Sequence, residues 1–291
     1  MQEITKQGMK KSRYLVVVGL VFLFMAMGIT ACRDKKPPVD ETPQVDTTKV
    51  DTTEVDSAEN VIEETPMPKA ADELFDDFFF NFAANRKLQR ERIQFPLQVV
   101  SGGKTTLMQP GQWQTDHFFM NQDFYTLIFD SQKQMEIVKD TTVGHVVVEK
   151  INLGRKSVKQ YVFDRINGQW RMTSINNGGV YQNQNASFLN FYQKFVTDST
   201  FQTESINDPL KFVGPDPETD QGNVDGILAP EQFATFGPEL PTGEIYNIIY
   251  GQKYTKTDQK IFVIRGIANG LETQLTFKRV DGKWKLVKLI I

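Results

Sequence analysis

Asp123 and Tyr125 stand two residues apart in an apolar run, and the same spacing recurs at Glu244 and Tyr246. On a strand, residues i and i+2 share a face. Each pair would therefore set an acid beside a phenol, a combination able to move a proton. His145 precedes Val146-Val147-Val148 and His117 precedes Phe118-Phe119, and these are the only two histidines of the chain. Two histidines disfavour a multi-histidine metal site. Strand-end acids are usually solvated, strand tyrosines usually pack, and a lone histidine is more often structural than catalytic. Asp123, Tyr125 and His145 are accordingly the candidate polar groups for a small pocket, without a catalytic constellation around them. No Gly-rich phosphate loop, nucleophile elbow or metal-ligand cluster is visible in the sequence, so neither cofactor nor metal is expected. The acidic stretch Gly214–Gly226 does not have the ligand spacing of a calcium loop and reads as a mobile surface loop.

These groups must be positioned by a folded part whose charge is balanced. The 291 residues carry a formal net charge of −3. Residues 1–32 contribute +3, residues 33–72 contribute −6, and residues 73–291 contribute 0. A neutral folded part argues against a nucleic-acid partner, which would need an excess of Lys and Arg. The single cysteine excludes a disulfide framework and a thiolate-rich metal site.

That cysteine has a chemistry of its own. Lys10, Lys11 and Arg13 form a positive start, and Tyr14 to Cys32 contains no charged residue. The segment reads as a secretory signal, or as a transmembrane anchor just long enough to span. Its end, Gly28-Ile29-Thr30-Ala31-Cys32, resembles the lipobox of bacterial lipoproteins, with Ile29 in place of the commoner Leu. The resemblance implies a signal peptide over residues 1–31, acylation of Cys32, and a durable tether, since several acyl chains hold where one binds only marginally. It also implies an outer-membrane lipoprotein. Arg33-Asp34-Lys35-Lys36 lacks the acidic cluster associated with surface export, which favours the periplasmic face.

Residues 32–72 follow as an acidic linker. From residue 33 onward this stretch has no aromatic side chain, and such a composition cannot offset the entropy of ordering. A five-residue repeat runs from Val45-Asp46-Thr47-Thr48-Lys49 through Val50-Asp51-Thr52-Thr53-Glu54 to Val55-Asp56-Ser57-Ala58-Glu59. It is a self-repelling spacer by composition. Its Asp-Thr/Ser triplets also resemble acceptors of Bacteroidota O-glycosylation, which makes Thr47, Thr52 and Ser57 candidate glycan sites.

The remainder is an internal duplication. Phe75 to Leu97 aligns with Phe188 to Leu210 at an offset of 113 without a gap, eight of the 23 positions being identical. Downstream, Tyr125–Phe129 aligns with Tyr246–Tyr250 at 121, and Phe163–Arg171 with Phe277–Lys285 at 114. Two domains follow, residues 73–180 and 181–291. Each begins with an amphipathic helix. Phe75, Phe78, Phe79 and Phe82 fall at i, i+3, i+4 and i+7, as do Phe188, Phe191, Tyr192 and Phe195. Short helices are expected to start at Pro110 and Pro230. Strands are expected over 143–151, 157–166 and 169–175, and over 260–267, 271–280 and 283–290. Asn167-Gly168 and Asp281-Gly282 are hairpin turns in this reading, and Trp170 and Trp284 cover the helix side of the sheet. Helices first and an antiparallel meander after them define an α+β fold. Phe80 and Phe95 have polar counterparts, Gln193 and Asp208, so they are candidates for an interface between domains or with a partner.

A Phe-rich first helix and a sheet ending in Phe-x-Arg-apolar-Asn/Asp-Gly-x-Trp-Arg/Lys resemble the nuclear-transport-factor-2-like superfamily. With lipobox and acidic linker, the whole pattern is similar to an uncharacterised family of Bacteroidota lipoproteins carrying a domain of unknown function. The resemblance implies two cone-shaped domains, helices on a curved antiparallel sheet, packed sheet against sheet in imitation of a dimer. Fold alone does not give function. The expected role is a membrane-tethered, non-catalytic binding or scaffolding module with an envelope protein or glycan partner. The alternative is binding, or proton transfer on, a small amphipathic ligand in one cone.

Overall fold

Alternating and continuous apolar runs build a single twelve-stranded sheet, with helices on both faces. The computed structural model describes residues 69–216, 222–267 and 270–291. Cys32, Thr47, Thr52 and Ser57 lie outside the described residues.

The first half runs α1 (Phe75–Ala84), α2 (Arg86–Arg92), β1 (Ile93–Ser101), β2 (Lys104–Met108), β3 (Phe124–Phe129), β4 (His145–Asn152), β5 (Ser157–Ile166) and β6 (Gln169–Gly179). The second repeats it as α3 (Ala186–Thr197), α4 (Ser199–Glu204), β7 (Ile206–Pro215), β8 (Asn223–Leu228), the short α5 (Phe233–Phe236), β9 (Glu244–Ile249), β10 (Gln259–Gly266), β11 (Glu272–Val280) and β12 (Lys283–Ile290). The Phe stripes form α1 and α3 as their spacing predicts. Asn85 and Asp198, equivalent positions in the two halves, cap α2 and α4 by accepting from Leu88 N at 2.8 Å and Phe201 N at 2.9 Å. Both hairpin turns take positive φ at both central residues, 51° and 79° at Asn167-Gly168 and 50° and 74° at Asp281-Gly282.

Three expectations change in detail. Pro110 opens only a 3-10 turn, Pro110–Gln112, and Pro230 a 3-10 turn that leads into α5. Both ends of the Gly214–Gly226 stretch are strand: Gly214 pairs with Val224 and Val213 with Asp225, so β7 and β8 extend into a segment expected to be loop throughout. The halves also do not pack sheet against sheet.

The strand order is β2-β1-β6-β5-β4-β9-β3-β10-β11-β12-β7-β8. Strands β3 and β9 have changed places. β9 pairs antiparallel with β4 of the first half, and β3 pairs antiparallel with β10 of the second. They meet each other in parallel at Thr126 and Asn247. Val147 lies opposite Ile249, and its repeat equivalent Ile261 lies opposite Phe129. The two exchanged strands are thus related by 120 residues and not 121. The match of Tyr125 with Tyr246 is displaced by one position, and a shift of one residue reverses the face of every side chain.

Equivalent residues of the two halves consequently occupy opposite faces. On one face α1 packs with Leu127, Phe129, Val146, Val148, Phe163 and Trp170. On the other α3 packs with Ile128, Ile245, Phe262, Phe277 and Trp284. The four central strands are covered from both sides, which is why β3 and β9 are apolar without alternation. Toward the rims the helices end, and β2 and β8 are exposed along nearly their whole length. No helix among the described residues is long and apolar enough to cross a membrane.

Candidate functional site

The cone of the first half is filled. Phe163 on β5 makes edge-to-face contacts with Phe75, Phe78, Phe79 and Phe82, at centroid distances of 5.3 to 6.0 Å. Trp170 closes on Phe75 at 5.0 Å, and Phe118 and Phe119 close on Phe79. Such pairs add about 0.5–1.5 kcal/mol each beyond their buried area.

The three candidate polar groups do not come together. Asp123 precedes β3, is exposed, and is held by its backbone carbonyl, which accepts from Ile267 N at 2.9 Å. His145 opens β4 at the surface, its side chain 56% exposed, with Nδ1 2.8 Å from Asp164. Tyr125 alone points inward, stacked on Phe119 at 5.2 Å. Glu244 and Tyr246 do share a face, where Glu244 pairs with Lys150 at 3.1 Å. Burial pushes the Tyr246 phenol up to about 12. Phe80 packs edge-to-face on Phe119 at 5.9 Å, and Phe95 lies against the same core.

Sequence reasoning passed over several carboxylates held in the interior, among them the partly buried Asp76 and the fully buried Glu149. Asp76 on α1 accepts from Tyr250 and, at 3.3 Å, from Tyr125, with Arg265 at 3.9 Å. Burial raises its pKa, opposed by these partners. Arg265 donates to Tyr125 Oη at 3.3 Å and pairs with Glu272 at 2.7 Å. On the opposite face Glu149, 1% exposed, accepts from three amides: Gln160 at 2.9 Å, Asn183 at 2.7 Å and Asn247 at 2.9 Å. Burial raises its pKa too, opposed by the three neutral amides. The available signal for Glu149 was its place directly after the apolar run Val146-Val147-Val148.

The second half keeps open space. A cavity of about 630 Å³ lies between the start of α3 and the β11–β12 turn, lined by Asn185, Phe188, Tyr254, Lys260, Arg279 and Trp284 among others. This is within the usual range for small-molecule sites. Lys260 is buried and bonds Asp130 at 2.5 Å and Asn185 Oδ1 at 2.7 Å. Arg279 lies over the Trp284 ring at 4.6 Å and donates to Ser187 Oγ at 2.8 Å.

A helix layer on a large curved sheet is the arrangement of the NTF2-like class. A crystal structure of an ntf2-like protein from Bacteroides fragilis NCTC 9343 matches with a TM-score of 0.72 and 39% sequence identity, over 77% of this chain and 98% of that one. The chain belongs to the family described as Domain of unknown function (DUF4348), whose model matches residues 54–290. No curated protein matches.

Proposed function

We propose that this chain is a lipid-anchored, non-catalytic binding or scaffolding module of the cell envelope, tethered at Cys32 on the periplasmic face of the outer membrane. The observation that carries the binding role is a ligand-sized cavity beside the start of α3, next to two cores that are both packed with aromatic rings. The buried acids are committed to holding the structure: Asp76 to Tyr125 and Tyr250, Glu149 to three amides, Asp130 to Lys260 and Thr255. The proton-transfer alternative loses its residues, because Asp123 and His145 face solvent away from Tyr125. Its binding half is retained by the cavity.

Anchoring is tested by metabolic labelling with an alkyne palmitate analogue. The label is expected on the chain and lost in Cys32→Ser, and an unlabelled chain in the membrane fraction would overturn the tether. The module reading is tested by crosslinking in intact cells. A reproducible envelope protein or glycan in the crosslinked product supports it, and a chain recovered free in every case would overturn scaffolding.

A further inference from the structure

We infer that the outer strands of the second half carry a site for a phosphate monoester on a hydroxylated body, held by Lys211, Lys278 and Lys288. The site is separate from the cavity at α3. It goes beyond the module reading, since it needs neither the tether nor a macromolecular partner.

The first observation is a concavity on the sheet face turned away from α3. Phe277 and Trp284 pack with α3, so Thr276 and Lys278 alternate to the other face. The pairing register sets Ile261, Thr276, Lys288 and Lys211 in one row across β10, β11, β12 and β7. Together with Lys278 they line a cavity of about 350 Å³, at the lower end of small-molecule sites. Ile261, 2% exposed, is its apolar floor.

The second is unopposed charge. No acid lines this cavity, and none of the three lysines makes an ion pair, hydrogen bond or ring contact among the described residues. Lys288 lies opposite Lys211 on the neighbouring strand. Strands are about 4.8 Å apart, and two ammonium groups so placed repel one another. An anion between them relieves that repulsion. Asp225 on β8 lines the adjoining groove with Lys211 and Lys288 but forms no ion pair with either, so positive charge stays in excess.

The third is the contrast with the first half. Gln98 pairs with Ser174 and Ser174 with Val162, as Lys211 pairs with Lys288 and Lys288 with Thr276. The first-half equivalents of the three lysines are therefore Gln98, Ser174 and Asp164, and Asp164 is engaged by His145 at 2.8 Å and Thr173 at 2.6 Å. The common fold does not require the three cations. Lys285 is the opposite case. It donates to Glu204 O as Arg171 donates to Glu91 O at 3.3 Å, so this cation belongs to the fold. A phosphate monoester, with a charge of about −1.5 to −2, matches three lysines better than a carboxylate does, and lysine binds phosphate as a point charge. Asn207 and Gln259 also line the cavity, their amide nitrogens held by Pro209 O and Asp130 O. Their side-chain oxygens are left to accept from hydroxyls of the body.

The test is equilibrium dialysis of ³²P-labelled glucose 6-phosphate against the full chain in octaethylene glycol monododecyl ether micelles, with empty micelles as blank and radiolabelled glucose as the uncharged control. Saturable binding of the sugar phosphate is expected, with glucose and the competing carboxylate glucuronate each at least about tenfold weaker. Lys288→Gln and Lys278→Asp are each expected to weaken it about tenfold or more. Lys285→Gln, on the same face, is expected to leave it unchanged. Circular dichroism of each variant checks folding, and either site variant decides if the other misfolds. Micelles containing phosphatidic acid separate two sources of the phosphate: they displace the sugar phosphate if the site takes a lipid headgroup, and leave it bound if the site takes a soluble ester. Absence of saturable binding, equal binding of glucose, equal competition by glucuronate, binding unchanged by the folded site variants, or an equal loss with Lys285→Gln would each overturn the inference. None of these results touches the tether or the module, which are read by lipid labelling and by crosslinking.

Discussion

The hydroxyl of Tyr250 donates to the carboxylate of Asp76 across 174 residues of chain. One belongs to the first helix of the first repeat and the other follows β9 of the second, so the bond pins the exchanged strand under the helix of the opposite half. Tyr250→Phe removes this donor and leaves Asp76 with Tyr125 and Arg265. A loss of about 1–2 kcal/mol is expected, measured by urea unfolding. An unchanged midpoint would show that the pin is dispensable.

Glu149 offers a pH test with a defined sign. Burial holds its folded pKa above the ordinary value of 4.5. The native state therefore keeps this proton after the unfolded state has lost it. That contribution to stability is full below the unfolded pKa and is lost as pH rises through the folded pKa. Glu149→Gln keeps an acceptor for Gln160 and Asn183. Its new amide can donate to Asn247 Oδ1, which has no partner, once the Asn247 amide turns. The variant is expected to gain on the wild type as pH is raised from about 4.5 to about 8, read as the difference in unfolding free energy. Glu149→Ala strands three buried donors and is expected to lose about 3 kcal/mol or more.

Phe163 sits at the centre of the aromatic packing, touching four phenylalanines of α1. Phe163→Ala is expected to cost about 3–5 kcal/mol, and Phe277→Ala to cost a similar amount on the opposite face. A thermal melt distinguishes this from local rearrangement, because both halves share one sheet and should unfold together in one transition. Two transitions would argue for independent halves.

A chain ending at residue 183 tests the strand exchange. It retains β4 without β9 and β3 without β10. It is expected to be unfolded or self-associated in sedimentation velocity, and to recover a folded complex when the remaining half is co-expressed. A folded monomer of the first half would contradict the need for the exchanged partner.

The Phe stripes, the two positive-φ turns and the Trp residues beyond them were legible because each depends on neighbours within a few positions. The exchange of β3 and β9 was not, because Tyr125-Thr126-Leu127-Ile128-Phe129 would read the same paired with β4 or with β10. Its unbroken apolar character did signal burial on both faces, a property of a central strand in a shared sheet. The Tyr125–Tyr246 match misled by one residue, since chemical identity outweighed face in the alignment. Asp123 and His145 failed as pocket groups for local reasons: one precedes its strand, and the other begins its strand at the surface. Asn185 and Lys260 went unnoticed because they are 75 residues apart and neither belongs to a recognisable motif.

The interchange of β3 and β9 also bears on what dilution can do to this molecule. Two separate copies exchanging the same strands would hold together by mass action, and their integrity would fall with concentration. Here the partner strand is on the same chain, so its effective concentration is set by the connection and not by the number of molecules present. The fold is unimolecular, and a single copy, however sparse its kin, remains whole.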